Sequence, residues 1–377
     1  MIFNVVVKVA SRCNLNCSYC YLYNHEDASA LRQPKQISDR VFSVLLDRMR
    51  THADRHDRPM SITLHGGEPT LIGTDRMRHL VGLARKCLGS RLSGVSIQTN
   101  ATLIDAQWAG LFAELEMTVG VSMDGPAEIH DRVRVTHGGN GSHAAVVEGI
   151  EALRAAGIPI RILCVVDPGG DGLLAYRHFR SLGVRHLDFL LPDVSHDNRV
   201  ARYGSAAHPV ADYLLPVLDA WLEENDPGVF IPLFWDLLAR GMGAGTLHTD
   251  CFGNPPMTYA VVNTDGSIEP LDALKVCDDG ITSTEFNVLT HEFDDIYQRP
   301  SLFADALAGD IALPADCRGC RHMAVCGGGY LPHRYRRDTG FDNPSVWCVD
   351  IQLLLDRMGK LLATTAPLQA VAATGCP

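Results

Sequence analysis

The chain opens on an alternation of short apolar runs with longer stretches of helical period. "FNVVVKVA" (3–10) is apolar at nearly every position, the pattern of a strand covered on both faces. "ISDRVFSVLLDRMRTHADRH" (37–56) instead spaces Val41, Leu45 and Met49 four apart, the stripe of an amphipathic helix. The same pair recurs. Strands are predicted at "SITLHGG" (61–67), "GVSIQTN" (94–100), "MTVGVSMDG" (117–125), "IPIRILCVVDP" (158–168) and "RHLDFLLP" (185–192). Helices are predicted near 74–88, 105–115, 143–156 and 171–182. Six such strands with helical crossovers predict a parallel sheet, either open and doubly wound or closed towards a barrel; periodicity alone does not choose. After about residue 200 the rhythm changes. Helical stretches at 209–224 and 233–240 lead through "GMGAG" (241–245) to "YAVVNTDGSIEPL" (259–271), a hairpin pattern with an Asp-Gly turn. From Cys317 the sequence is rich in Cys, Gly and Arg with little period, as in a small metal-stapled module. The predicted boundary lies near 230, giving domains 1–230 and 231–377.

A length of 377 residues with 46% hydrophobic and 20% charged positions fits one large domain with a smaller one. The net charge of −11 excludes a non-specific nucleic-acid binder, which needs a basic footprint. "MIFNVVVKVA" reaches Lys8 too soon for a signal peptide, and no window approaches a membrane span, so a cytoplasmic location is expected. In that reducing compartment twelve cysteines suggest metal ligation rather than disulfides.

The candidate chemistry begins directly after the first strand. In "VASRCNLNCSYCYLYN" (9–24), Cys13, Cys17 and Cys20 share one loop. Loops at the C-terminal ends of parallel strands build active sites. Two readings fit. One is a zinc knuckle that borrows a fourth ligand such as His25; the other is a [4Fe–4S] cluster on three thiolates, leaving one iron open.

The motifs that follow bear on this choice. The cysteine loop, with Tyr19 just before its last cysteine, resembles the signature of the radical S-adenosylmethionine (SAM) enzymes. "GGEP" (66–69), "QTNAT" (98–102), "SMDGP" (122–126) and "DRVR" (131–134) follow in the family's order, the first three each at a predicted strand end. The resemblance implies a partial, TIM-like (β/α)6 barrel, α/β in class. It also implies SAM contacts from Tyr19, Gly66, Gly67, Glu68, Gln98, Asn100, Ser122 and Asp124. Glu68 and the backbone beside it would hold the methionine amino group, and Arg134 would pair with the carboxylate. SAM would then chelate the open iron and, on one-electron reduction, release a 5′-deoxyadenosyl radical that abstracts hydrogen from a substrate. His65 reads as a brace of the second strand's end.

Cys317-x2-Cys320-x5-Cys326 and the later Cys348 make a second set of four thiols, which spacing alone assigns equally to zinc or iron–sulfur. Beside a radical SAM barrel the run resembles the SPASM extension, a small Cys-rich domain carrying auxiliary clusters. Two positions depart from that pattern: Leu271, five residues after Gly266, and Tyr330, four after Cys326, stand where it has cysteines. The resemblance therefore implies one complete auxiliary [4Fe–4S] cluster on Cys317, Cys320, Cys326 and Cys348. The other would be lost, or rebuilt through Cys251 or Cys277. Asp272 follows Leu271 as an aspartate assigned as a base does in sulfatase-maturing relatives. Cys87, Cys164 and Cys376 read as a helix thiol, a core thiol and a tail. Arg334, Arg336 and Arg337 read as a solvated basic run.

"GGGYLPHRY" (327–335) and "GFDNPSVWC" (340–348) resemble radical SAM/SPASM maturases that close three-residue cyclophanes in ribosomally made peptides. The implied reaction abstracts a β-hydrogen and joins that carbon to an aromatic ring. The implied partners are a precursor peptide and an external one-electron donor of flavodoxin or ferredoxin type. Formylglycine formation, thioether formation and epimerisation remain open on the same machinery. A different class of reading is a zinc-stapled, non-catalytic peptide-binding protein on a degenerate barrel.

Overall fold

A computed structural model describes residues 1–243, 248–249 and 251–364. Part of the Gly-rich 241–245 stretch, and Cys376, lie outside the described residues. Six strands joined by five principal helices are present. Strands β1 (Asn4–Ala10), β2 (Met60–Gly66), β3 (Leu92–Thr99), β4 (Thr118–Ser122), β5 (Ile160–Val165) and β6 (His186–Leu190) alternate with helices Asp39–Arg55, Thr74–Leu88, Ala106–Glu114, His143–Ala155 and Gly172–Ser181. The sequence pattern located all of these to within a few residues. The fold is of the α/β class with the parallel sheet expected, and the Cys-rich region follows at the C-terminal end of the chain.

Contact density divides the chain into two compact units, Met1–Leu163 with Pro256–Ile311, and Cys164–Pro255 with Ala312–Pro377. These units do not coincide with a cut at residue 230. The reason is the hairpin: β7 (Tyr259–Val262) lies parallel to β1, from Asn4↔Tyr259 to Val7↔Val262, while β8 (Ile268–Glu269) pairs antiparallel to β7. β1 is thus a central strand between β2 and β7, and β2 to β5 continue as parallel neighbours. Central position explains the continuous apolar run of β1, whose Val5, Val7 and Val9 are fully buried.

Lys8 is the exception in that run. Only 4% exposed, it carries a charge into the strand's C-terminal half and needs a partner there. Helix Asp39–Arg55 starts at Ser38, whose side chain accepts from Val41 N, and buries Val41, Leu45 and Met49, the residues of its predicted stripe.

In the second unit the described frame is β6 with helices Pro209–Glu224, Pro232–Gly241 and Cys348–Thr364. The buried Asp350 carboxylate accepts from Val210 N and Ala211 N, both at 2.8 Å, so one helix supplies the cap of another's N-terminus. Among the described residues no helix is long and apolar enough to cross a membrane.

Candidate active site

The thiol loop leaves β1 and is held on both sides. Asn16 N donates to Val135 O and Ser18 N to Val133 O, while Tyr23 N and Asn24 N donate to Cys20 O. Gly66 and Gly67 are required by closeness. A Cβ on Gly66 would fall 2.0 Å from Ala10 O, and one on Gly67 would fall 2.2 Å from the Tyr23 hydroxyl and 2.3 Å from Arg12 O. The end of β2 therefore lies directly against the thiol loop, with Gly67 N bonded to Ala10 O and Glu68 N to Arg12 O.

All of the residues predicted to contact SAM, and the three loop thiols, fall in the first compact unit. Glu68 is buried, and its carboxylate accepts from Thr70 N at 3.0 Å, Thr70 Oγ1 at 2.7 Å, Thr99 Oγ1 at 2.7 Å and Asn100 N at 2.8 Å. It braces the ends of β2 and β3 to each other. Burial pushes its pKa up, against the pull of those donors. Asn100 Nδ2 reaches Cys13 Sγ at 3.7 Å and Asn14 Oδ1 at 2.9 Å, and Gln98 Nε2 donates to Ser122 Oγ at 2.8 Å.

Arg134 is buried and pairs with Asp124 through both nitrogens, Nε to Oδ2 at 2.8 Å and Nη2 to Oδ1 at 3.3 Å. The Tyr19 hydroxyl donates to the same carboxylate at 2.6 Å, and the Arg134 guanidinium lies 5.3 Å from the Tyr19 ring centre. Tyr19, Asp124 and Arg134 thus form one buried unit beside Cys17, with the Arg134 charge balanced inside the protein.

The fit of a cluster is tested by the donor chemistry. Burial raises the Cys13 pKa to about 12 and the Cys17 pKa to about 11, although Arg134 draws Cys17 down, and burial also raises Cys20. Such thiols ionise when a metal charge compensates them. Among the described residues, the one metal-capable trio with all ligand atoms within 4.8 Å lies elsewhere. In the second unit Cys317, Cys320, Cys326 and Cys348 line one cavity together, a four-thiol donor set of the type that holds an iron–sulfur cluster or a zinc ion. When bound, a reduced cluster with SAM supplies a 5′-deoxyadenosyl radical. The residues present fit that group at Cys13, Cys17 and Cys20. They fit a second cluster at the four-thiol cavity.

Asp272, the candidate base, enters the site from the turn after β8. Its carboxylate pairs with Lys8 and accepts from the Tyr21 hydroxyl at 3.0 Å. Lys8 Nζ also lies 3.3 Å from His65 Nδ1. Burial raises the Asp272 pKa, but the Lys8 charge, His65 and the two hydrogen bonds outweigh it and bring the group to about 2. Lys8 and Tyr21 were not singled out from the sequence. A lysine inside the apolar run "VVVKVA" was the available signal for Lys8. His65 does stand at the end of β2, where its ring nitrogen bonds Gly66 N.

The Cys-rich segment is packed tightly. Arg334 is buried and donates to the carbonyls of Ala312 and Phe341, Asn343 Nδ2 donates to Arg334 O at 2.9 Å, and Trp347 Nε1 donates to Pro192 O at 3.1 Å. Arg334 is therefore not part of a solvated run, unlike Arg336 and Arg337. The basic reading fails there because the peptide carbonyls it serves come from a loop without periodic signal. Cys251 and Cys277 are both buried.

Neutral buried histidines give this molecule an acid limit. Burial, then the neighbouring Arg134, brings His130 from 6.5 to about 4, and burial, then Lys8, brings His65 to about 4. Both groups have folded pKa values below the unfolded one, so their stabilisation is complete above pH 6.5 and is lost as the pH falls towards 4. The shift of His130 alone is worth about 3 kcal/mol at full expression. Thermal melts are expected to be level from pH 8 to 7 and to fall steadily from pH 6.5 to 4. A melting point unchanged to pH 4 would contradict this.

The Radical SAM superfamily matches residues 7–172. A cysteine-type anaerobic sulfatase-maturating enzyme of Clostridium perfringens (strain ATCC 13124) is 30% identical over 277 residues, 71% of this chain and 74% of that protein. Among solved structures, native anSMEcpe with bound AdoMet and Kp18Cys peptide superposes with a TM-score of 0.80 at 23% identity, covering 96% of this chain and 99% of that one. Streptococcus suis SuiB bound to the precursor peptide SuiA gives 0.65 at 15% identity, covering 92% and 76%.

Proposed function

Because the chain belongs to the radical SAM family of SPASM-type maturases, we propose that it is a peptide maturase that closes a carbon–carbon cyclophane in a ribosomally made precursor. The radical would take a β-hydrogen from one residue, and that carbon would join an aromatic ring a short distance along; the coupled radical would then regain its aromatic ring by giving a proton to a base and one electron to the auxiliary cluster that Cys317, Cys320, Cys326 and Cys348 would hold. The observation that carries this reading is the four-thiol cavity with its two departures. The thiols of one auxiliary cluster converge, while Leu271 and Tyr330 occupy the positions of two cysteines of the other. The tightly packed "GGGYLPHRY" and "GFDNPSVWC" segments frame that cavity, with Tyr330, His333 and Trp347 in successive edge-to-face contacts at 5.1 and 6.4 Å.

In this reading Gly66 and Gly67 let the end of β2 lie against the thiol loop, and SAM would bind beside that junction. Gln98, Asn100, Ser122 and the Tyr19–Asp124–Arg134 unit form its remaining wall, and Asp272 receives the proton released from the substrate. The substrate is a peptide, as with the named neighbours whose structures hold one. The electron enters from an external flavodoxin- or ferredoxin-type donor, and the reduced thiols suit the cytoplasm. A functional division at 1–230 and 231–377, barrel and auxiliary-cluster domain, goes with this reading.

A second product, formylglycine, is favoured by one specific observation. The 30% identical relative is a sulfatase-maturating enzyme, and Asp272 lies deep in the same unit as the thiol loop, against Lys8 and Tyr21. The test is anaerobic turnover on two peptide sets, one carrying an aromatic residue near its C-terminus and one carrying a target cysteine or serine. A ring-to-β-carbon link with loss of two hydrogens is expected from the first. An aldehyde that reacts with hydrazide, formed from the second set only, would replace the cyclophane reading with formylglycine.

A further inference from the structure

At the opposite end of β1 from the thiol loop, three side chains form a cluster that the chemistry above does not use. His52 and His56, four apart at the end of helix Asp39–Arg55, present their rings on one face with centroids 4.5 Å apart. Asp294, in the segment Phe293–Gln298, reaches between them. Its Oδ1 lies 3.0 Å from His52 Nδ1 and 2.7 Å from His56 Nε2, and the ligand atoms of all three fall within 4.8 Å of one another.

The hydrogen bonding around His52 is the second, independent observation. Its Nε2 lies 3.1 Å from Ile2 O. A carbonyl oxygen only accepts, so Nε2 carries the proton, and in the neutral ring Nδ1 holds a bare lone pair. That nitrogen is buried in a residue 2% exposed and has no hydrogen-bond partner, with Asp294 Oδ1 3.0 Å away. A buried lone pair beside a carboxylate oxygen, with no proton between them, is unfavourable unless a cation serves both.

We propose that His52, His56 and Asp294 hold a divalent transition-metal ion of zinc type. Two imidazoles with one carboxylate suit zinc rather than magnesium or calcium. The surroundings match those of a structural metal. The Nε2–H of His52 to a backbone carbonyl fixes the ring with Nδ1 free to ligate. Arg55 pairs with Asp294 Oδ2, while Oδ1, hydrogen-bonded to His56 Nε2 without an ion, faces both rings and would turn to the ion when one binds. His56 and Asp294 are 28% and 13% exposed at their side chains, open enough for a water as fourth ligand. The Phe293 ring closes the inner side, edge-on to His52 at 5.9 Å.

Such an ion would tie three segments together: Ile2 ahead of β1, through His52, the helix Asp39–Arg55 and the turn containing Asp294. Ile2 N already bonds the Tyr297 hydroxyl at 2.7 Å, in that same turn. This end of a parallel barrel sheet is the stability face rather than the catalytic one. The ion is therefore expected to raise the melting point without altering SAM cleavage.

The test uses the full chain with its clusters reconstituted, then given zinc and desalted. Zinc is counted by mass spectrometry, and its neighbours are read by zinc X-ray absorption. About one retained zinc with only nitrogen and oxygen neighbours is expected. His56→Ala and Asp294→Asn should each reduce retention at least about fivefold and abolish a zinc-dependent rise of about 3 °C in melting point. The absorption spectrum of the unaltered chain stands whether or not the variants fold. No retained zinc, zinc with sulfur neighbours, or equal retention by both folded variants would overturn the site.

Discussion

Replacing Cys17 by alanine is expected to reduce 5′-deoxyadenosine production from SAM to background while leaving the chain folded. The loop offers three thiols, so removing one leaves two of the three ligands on which the cluster would rest. Cys17 is also the thiol beside Arg134, where a neighbouring cation eases its ionisation against burial. The native chain is expected to carry about eight irons and matching sulfide, and the variant about four. Cys348→Ala is the informative partner. It lies in the second compact unit, among the four thiols of the auxiliary cavity, and should lose about four irons while retaining SAM cleavage. Iron analysis and chromatography of the nucleoside separate the two. Undiminished nucleoside production by Cys17→Ala would remove the loop from the chemistry, and zinc without iron in the native chain would return both sets to a structural role.

That the loop, the glycines and the strand ends were legible in the sequence has a local cause. Parallel α/β strands are continuous apolar runs, and the residues that follow them are the site, so period and motif sit side by side. The sharp positions were those set by backbone closeness, such as Gly66 and Gly67, whose missing Cβ atoms the structure explains. What did not show was every feature made by pairing across sequence. Nothing local in "YAVVNTDGSIEPL" says that β7 will run parallel to β1, yet that register carries Asp272 to Lys8. The same holds for Glu68: a motif predicts its presence at the end of β2, but only the fold reveals Thr70, Thr99 and Asn100 converging on its carboxylate. Arg334 looked like surface because its partners are carbonyls, which no residue type announces. His52 and Asp294 are separated by more than two hundred positions, and only their helix and turn bring them together.

Asp272→Asn should separate these roles most sharply, because it removes a charge without removing shape. Its carboxylate and Lys8 form a pair exposed only 15% and 5% at their side chains, so the variant strands the Lys8 ammonium in a poorly solvated place. Breaking one partner of such a pair costs about 3–5 kcal/mol, whereas Lys8→Met with Asp272→Asn together should cost less than the sum of the two. The pH dependence follows from the sign of the shift. The folded pKa, about 2, lies below the ordinary 3.8, so the stabilisation is complete above about pH 4 and disappears as the pH falls through 2. The variant should therefore lose that acid limb and keep the histidine-driven decline between pH 6.5 and 4. Catalysis tests the other half. If Asp272 accepts the proton released from the peptide, Asp272→Asn should lower product formation by about 10²-fold or more while SAM cleavage continues, so that nucleoside accumulates without modified peptide. The low pKa means this carboxylate is ionised throughout the working range, and no acid limb of product formation near pH 5 should trace to it. Loss of SAM cleavage in parallel with product would instead mark Asp272 as a positioning residue that acts through Lys8 on the thiol loop. Full product formation by the folded variant would exclude it as the base and leave the Lys8 pair as a purely structural element.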